Sequence, residues 1–161
     1  MVTPMRILGR LLGRPVLIPI AHEPEYHTDT IGTYEAGQFI ANIHGAQQHH
    51  ERWKPGSITR WFAYVHRFDH SGNHVSSDIR PLGTGPGLPD RELAETTLTE
   101  LLNQLADRRF GDIRIKLFRV MHDGVLFGLV DETGLHGLSP WAELYPEGLG
   151  FHRPWDGEYD T

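Results

Sequence analysis

The sequence predicts an α+β fold: a mainly antiparallel sheet of about six strands, one amphipathic helix on one face, and an aromatic-rich C-terminal tail. Three observations lead to this prediction. Several segments carry the β-branched and aromatic residues of strands with turn residues between them, and one segment repeats leucine at helical spacing. The last segment has no period, yet it is rich in aromatic residues.

The composition fits one domain and limits the classes of partner. With 161 residues, 39% of them hydrophobic, the chain can bury a core. A net charge of -6 argues against general nucleic-acid binding and favours a basic partner. The absence of cysteine excludes disulfides, thiolate metal sites and cysteine nucleophiles, and it favours a cytoplasmic setting. No apolar run approaches the ~20 residues of a membrane span, so we expect no membrane partner.

The N-terminal segment, residues 1–20, is predicted to be a flexible basic leader ahead of a single domain at residues 21–161. Its arginines and Pro15 interrupt the apolar stretch that a signal peptide needs. A short amphipathic surface helix over Met5–Leu12 is the alternative.

The first predicted hairpin joins strands Thr28–Tyr34 and Gln38–His44 through the turn at Glu35 to Gly37. A polar loop follows and contains the adjacent pair His49 and His50. Consecutive side chains on an extended chain point to opposite sides, so this pair favours a solvated loop over a metal site.

The second predicted hairpin joins Ile58–Phe68 to His74–Arg80 through a five-residue loop. This register predicts four facing pairs: Phe68 with His74, His66 with Ser76, Tyr64 with Asp78, and Ala63 with Ile79. One face is then apolar, with Trp61, Ala63, Val65, Val75 and Ile79. The other face is aromatic and ionisable, and its candidate binding residues are Tyr64, His66, His74 and Asp78.

His66, His74 and Asp78 are the residue types of a two-histidine, one-carboxylate metal site. However, His74 and Asp78 would lie about 13 Å apart on one strand at ~3.3 Å per residue. We therefore predict neither a metal nor a cofactor. Structural roles, a polar pocket and a general acid–base pair remain open for these residues. The sequence contains no Gly-x-Ser-x-Gly elbow, no His-Glu-x-x-His motif and no phosphate-binding loop ending in lysine.

A glycine- and proline-rich connection, Pro81–Pro89, leads to Asp90, which is predicted to cap a helix that runs to about Asp107. The apolar residues at helical spacing are Leu93, Ala94, Thr97, Leu98, Leu101, Leu102 and Leu105. We expect this stripe to cover the apolar face of the sheet that contains the next hairpin.

The central hairpin, Asp112 to Glu132, turns at Asp123-Gly124, a dipeptide typical of a type I′ turn. The predicted facing pairs are Lys116 with Asp131, Leu117 with Val130, Phe118 with Leu129, and Val120 with Phe127. Both faces are apolar near the turn. The second face therefore requires a cover: another layer, a terminal segment or a second chain.

The segment after Glu132 has no regular period but contains Trp141, Tyr145, Phe151, Trp155 and Tyr159. Because aromatic side chains favour burial, we expect the tail to wrap the body and cover the second sheet face. One helical turn is predicted at Pro140 to Leu144.

Four stretches together resemble a family of small actinobacterial proteins labelled formate hydrogenlyase regulatory protein. These are AHEPEYHTDTIGTYEAGQF, HRFDHSGNHVSSDI, DGVLFGLV and WAELYPEGLGFHRPWDGEYDT. The similarity covers about Ile20 to Thr161. The resemblance implies a transcriptional or assembly regulator, and it gives no catalytic residues to carry over. One predicted helix and an acidic charge depart from a helix-turn-helix regulator, so regulation through protein contacts is the expectation.

The favoured hypothesis is a non-enzymatic cytoplasmic regulatory or interaction protein with a protein partner or a second copy of itself. Its candidate contact residues are Trp155, Asp156, Glu158, Tyr159 and Asp160. One alternative is an immunity protein that neutralises a basic toxin. Another is a small enzyme or ligand-binding protein, with metal dependence left open, that uses the Tyr64, His66, His74 and Asp78 face.

Overall fold

A computed structural model of the chain describes residues 13–47, 58–85, 87–135, 137 and 139–161. Within these residues the chain forms eleven strands in three antiparallel sheets and one helix, which confirms the mainly antiparallel α+β class but not the predicted count of about six strands. The strands are β1 (Ile18–Ile20), β2 (Ile31–Tyr34), β3 (Gly37–Ala46), β4 (Thr59–Phe68), β5 (His74–Gly85), β6 (Arg109–Phe110), β7 (Ile113–Ile115), β8 (Phe118–His122), β9 (Val125–Asp131), β10 (Ala142–Tyr145) and β11 (Leu149–Phe151). The helix, α1, is Arg91–Leu102.

The larger sheet has the strand order β5-β4-β3-β2-β6, and α1 covers one of its faces. Asp90 caps the helix, as predicted, because its carboxylate accepts a hydrogen bond from the Leu93 amide at 2.8 Å. The helix ends at Leu102, short of the predicted Asp107. The buried residues between helix and sheet are Phe39, Ala41, Ala63, Val65, Leu82, Ala94, Leu101, Leu102 and Leu105.

The central hairpin belongs to a second sheet, with the order β11-β10-β9-β8, which packs on the other face of the larger sheet. The Phe127 ring lies 5.4 Å from Phe62 and 5.2 Å from Tyr64, in edge-to-face contacts. The prediction that both hairpins share a single sheet is therefore wrong, and α1 does not cover the sheet of the central hairpin. The sequence predicted that the second face of the central hairpin needs a cover. The larger sheet is that cover.

The turn of the central hairpin is confirmed, since Asp123 and Gly124 both have positive φ, 48° and 78°. The pairs of Phe118 with Leu129 and of Val120 with Phe127 are also confirmed. The pairs predicted further from the turn, Lys116 with Asp131 and Leu117 with Val130, do not form within the strand ladder, because β8 begins at Phe118.

The first arm of that hairpin is two strands, because the preceding segment, β7, pairs with β1 instead of β9. Ile18 faces Ile115 and Ile20 faces Ile113, and all four side chains are buried. Residues 18–20, expected in the leader, therefore form part of the core. Residues 1–12, including the alternative surface helix, lie outside the described residues, as do His49 and His50.

The tail adds strands to the second sheet. Ala142–Tyr145 pairs with β9 on one side and β11 on the other, so the helical turn predicted at Pro140 to Leu144 is wrong. Beyond β11, Trp155 and Tyr159 pack half-buried against the core around Phe151. The tail therefore adds strands to the second sheet instead of wrapping the body as predicted, and only its last residues lie across the core.

Strand β5 continues through Pro81 to Gly85, where a loop was predicted. Proline is tolerated there because β5 is the edge strand of its sheet and one side of its backbone needs no ladder partner. A register shift between Trp61 and Phe62 leaves Leu82 as an extra residue, whose side chain packs under the helix.

Within the described residues, no helix combines the length and hydrophobicity needed to cross a bilayer.

Substitution of Ile18 by alanine tests whether the β1 segment belongs to the folded core. Because the side chain is fully buried, we expect the free energy of unfolding to fall by about 3 kcal/mol. Urea unfolding followed by circular dichroism measures it. Val16→Ala is the control, since Val16 is 52% exposed and its truncation is expected to cost less than about 0.5 kcal/mol. Equal losses in the two variants would contradict the assignment.

Candidate functional site

A chain of three polar side chains lies between the two large sheets, at the edge formed by β5. Ser77 Oγ is 2.6 Å from Nδ1 of His66 and 2.8 Å from Nε2 of His74. Neighbouring Tyr64 shares this face of β4, with its ring centroid 5.3 Å from that of His66. Tyr64, His66 and His74 are therefore brought together, as the sequence predicted for their face.

A β-bulge changes the predicted pairing and removes Asp78 from this group. Phe68 faces His74, as predicted, but Arg67 faces Ser76, so Val75 is an extra residue in β5. The observed pairs beyond the bulge are His66 with Ser77, Tyr64 with Ile79, Ala63 with Arg80, and Val65 with Asp78. The three predicted pairs His66 with Ser76, Tyr64 with Asp78, and Ala63 with Ile79 are thus wrong.

Because side chains alternate along a strand, this shift by one residue exchanges the two faces of β5. Asp78 points to the helix side, where its carboxylate lies 3.4 Å from Arg80, and Arg80 also pairs with Glu100 at 3.0 Å. Ser77 takes the place next to His66. The sequence carries no signal for the bulge, because Val75 and Ile79 suit an apolar face in the predicted register as well.

Burial determines the charge state of the histidines. His66 is 1% exposed, and burial, followed by the proximity of His74, lowers its pKa to about 3. Burial also lowers the pKa of half-buried His74. Both rings are therefore neutral at pH 7. The aromatic ring of Phe118 stacks on His74 at 5.0 Å and keeps water from one of its faces.

Two buried polar atoms next to this chain have no hydrogen-bond partner among the described residues: the hydroxyl of Tyr64 and Nε2 of His66. Such atoms are uncommon in protein interiors, where most buried polar groups are satisfied. This face of β4 therefore combines deep burial with polar atoms that have no hydrogen-bond partner among the described residues.

A second candidate site is formed where the C-terminal tail meets the loop at residues 21–29. The Ala21 amide donates to the Gly157 carbonyl at 3.0 Å, and the Thr28 hydroxyl donates to the Ala21 carbonyl at 2.7 Å. The His27 and Tyr159 rings are 6.0 Å apart. Burial and the carboxylate of Glu23 raise the pKa of Tyr159 to about 12.

The predicted contact residues of the tail have different environments. Trp155 and Tyr159 are half-buried against the core, whereas Asp156 and Glu158 are exposed. Asp160 accepts from His152 at 2.8 Å and forms a backbone bridge with Gly150. The two aromatic residues therefore anchor the tail, and Asp156 and Glu158 are exposed carboxylates beside them.

Sequence reasoning missed Ser77 and the loop residues Glu23, Glu25 and Tyr26. Tyr26 is 57% exposed and Glu25 has a positive φ of 61°. The only signal for the loop was its composition, since two carboxylates flank Pro24 beside an aromatic residue. No pattern in the sequence indicates that the tail lies beside it.

Among the described residues, no group of three or more histidine, aspartate or glutamate side chains is arranged to hold a metal ion. Comparisons with protein-family models, with curated proteins and with solved structures return no match for this chain. The resemblance to the regulatory-protein family therefore stays a prediction.

The pH dependence of stability tests the burial of neutral His66. Because its pKa is lower in the folded chain than in the unfolded chain, acid favours the unfolded state once the pH falls below about 6.5. Between pH 7 and pH 5 we expect His66 to reduce the free energy of unfolding by roughly 2 kcal/mol. Urea unfolding at each pH measures the slope.

The variant His66→Gln retains a hydrogen-bonding side chain but does not titrate, so it should lose most of this slope and keep the smaller part due to His74. His70→Gln is the matched control, since His70 is exposed. A slope unchanged in His66→Gln would contradict a neutral, buried His66.

Proposed function

We propose that the protein is a regulatory or interaction protein that binds a basic protein partner. The proposed contact region, named here the loop–tail surface, consists of residues 22–29 and 155–160. One observation carries the proposal: within the described part of the chain, Glu23, Glu25, Asp156 and Glu158 form no ion pair with an arginine or lysine. Several unpaired carboxylates on one surface attract a positively charged partner.

The loop–tail surface is held in shape by the backbone. The Glu23 amide donates to the Thr28 carbonyl at 3.3 Å, which closes the loop, and the Ala21–Gly157 hydrogen bond joins loop and tail. The Glu158 amide donates to the Asp156 carboxylate at 3.1 Å. A surface ordered before binding loses less conformational entropy when a partner binds, which supports a role in recognition.

The surface also offers an aromatic contact. The Tyr26 ring packs on His27 at 4.2 Å between ring centroids, but more than half of the Tyr26 side chain remains exposed. Exposed tyrosine is enriched among the residues that contribute most to protein–protein binding. Carboxylates around an exposed tyrosine therefore suit a lysine- or arginine-rich partner surface.

The same chemistry argues against self-association through this surface. A symmetric dimer places the same patch on both subunits, so the unpaired carboxylates would face each other and repel. A different, basic protein fits better than a second copy. A regulator of a basic protein and an immunity protein against a basic toxin would both bind a basic partner. The identity of the captured partner distinguishes them.

Crosslinking from the loop–tail surface tests the proposal. A photo-reactive phenylalanine replaces Tyr26 in the full chain, and adducts formed in native lysate are identified by mass spectrometry. We expect a protein with a basic isoelectric point to be captured at this position and not from Leu88, an exposed control position. The triple variant Glu25→Gln, Asp156→Asn, Glu158→Gln should lower the yield about tenfold, which corresponds to ~1.4 kcal/mol.

The charge-matched control is Glu35→Gln, Glu92→Gln, Asp107→Asn, because these carboxylates are exposed and lie outside the loop–tail surface. It removes the same charge and should leave the yield unchanged. Equal losses in the two triple variants, or an acidic partner, would refute the proposal.

A further inference from the structure

The hydrogen-bonded group His66–Ser77–His74 contains the residues of an activated serine. It shares no residue with the loop–tail surface. Ser77 and His74 are partly exposed, whereas His66 is buried. Ser77 and His74 lie on β5, the edge strand of the larger sheet, and His66 lies beside them on β4. The partial exposure of Ser77 is the route by which a molecule from solution would reach its side chain.

The proton positions follow from the number of donors. Ser77 has one hydroxyl proton but two imidazole nitrogens within hydrogen-bond distance, so it donates to one ring and accepts from the other. Neutral His66 has one N–H. If that proton were on Nε2, a buried N–H would have no partner, which is rarer in proteins than an unsatisfied acceptor. The proton of His66 therefore lies on Nδ1 and is donated to Ser77 Oγ.

With the His66 donor assigned, the Ser77 hydroxyl donates to Nε2 of His74. That nitrogen must then carry a lone pair, which places the proton of His74 on Nδ1. One tautomer of each ring thus satisfies both contacts of Ser77 Oγ.

We propose that Ser77 is a nucleophile for small carboxylic esters, with His74 as its general base and His66 as a donor to the serine oxygen. Ser77 Oγ forms a bond to the ester carbonyl carbon while its proton moves to Nε2 of His74. The ester C–O bond then breaks, the leaving alcohol takes that proton, and Ser77 is acylated. In a second step water attacks the acyl carbon while one of its protons moves to Nε2 of His74; the bond between that carbon and Ser77 Oγ breaks, the carboxylic acid leaves, and Oγ takes the proton back from His74.

The arrangement resembles the serine–histidine part of hydrolytic triads, with one difference. The described residues place no carboxylate as third member beside His74, because the bulge sends Asp78 to the other face. Without a carboxylate to stabilise the imidazolium that forms, a slow reaction is expected. Strand β5 can also supply donors for the developing oxyanion, since alternate backbone N–H groups on an unpaired strand edge point away from the sheet.

Acetylation by p-nitrophenyl acetate tests the proposal, with the modified residue located by mass spectrometry of proteolytic fragments. In the folded full chain at neutral pH we expect acetyl-Ser77 to form at least about tenfold faster than acetyl-Ser76. Ser76 is the internal control, because it lies on the same strand and faces the other side. His74→Gln can still hydrogen-bond Ser77 but cannot act as a base, so it should slow acetylation about 100-fold.

His74→Asn is the second variant in case His74→Gln fails to fold, and urea unfolding checks both. Acetylation of Ser77 no faster than that of Ser76 would overturn the proposal and leave the three side chains with a structural role. Acetylation of Ser77 that does not depend on His74 would overturn it equally. Both readouts are independent of the loop–tail surface, so their failure leaves the proposed partner binding unaffected.

Discussion

The structure depends on the packing of the central hairpin against the inner face of β4. Phe127 inserts its ring between those of Phe62 and Tyr64, and all three side chains are buried. Aromatic side chains contribute a large share of the apolar area that a domain of this size buries. This contact makes the larger sheet a middle layer, with α1 on one side and the second sheet on the other. It also removes water from around His66, whose chemistry follows from that burial.

Polar groups inside this layered core are unusual, because burying an amide, hydroxyl or imidazole without a partner costs free energy. The core tolerates His66 by keeping it neutral and by hydrogen-bonding one nitrogen to Ser77. The bulge at Val75 makes this possible, since it turns the Ser77 hydroxyl inward and Asp78 outward. A carboxylate beside two neutral histidines in an aromatic environment would be far more costly to bury than a hydroxyl.

The two candidate sites differ in how they are built. The His66–Ser77–His74 chain lies on strands, so pairing and packing fix its side chains. The loop–tail surface consists of irregular backbone held by a few hydrogen bonds and by the half-buried anchors Trp155 and Tyr159. Loops on a rigid scaffold are common positions for recognition, whereas groups on strands suit chemistry that needs fixed distances. The proposed partner binding and the proposed ester chemistry therefore rest on separate parts of the domain.

The sequence by itself determined the features that depend on neighbouring residues. Asp123-Gly124 sets the turn and the register beside it, Asp90 sets the start of the helix, and the alternation along β4 places Tyr64 and His66 on one face. Tertiary structure decided which strands share a sheet, the pairing of β1 with β7, the bulge at Val75 and the contact of the tail with residues 21–29. These features depend on contacts between residues far apart in the chain, where several pairings bury similar apolar area, so only the packed whole selects among them.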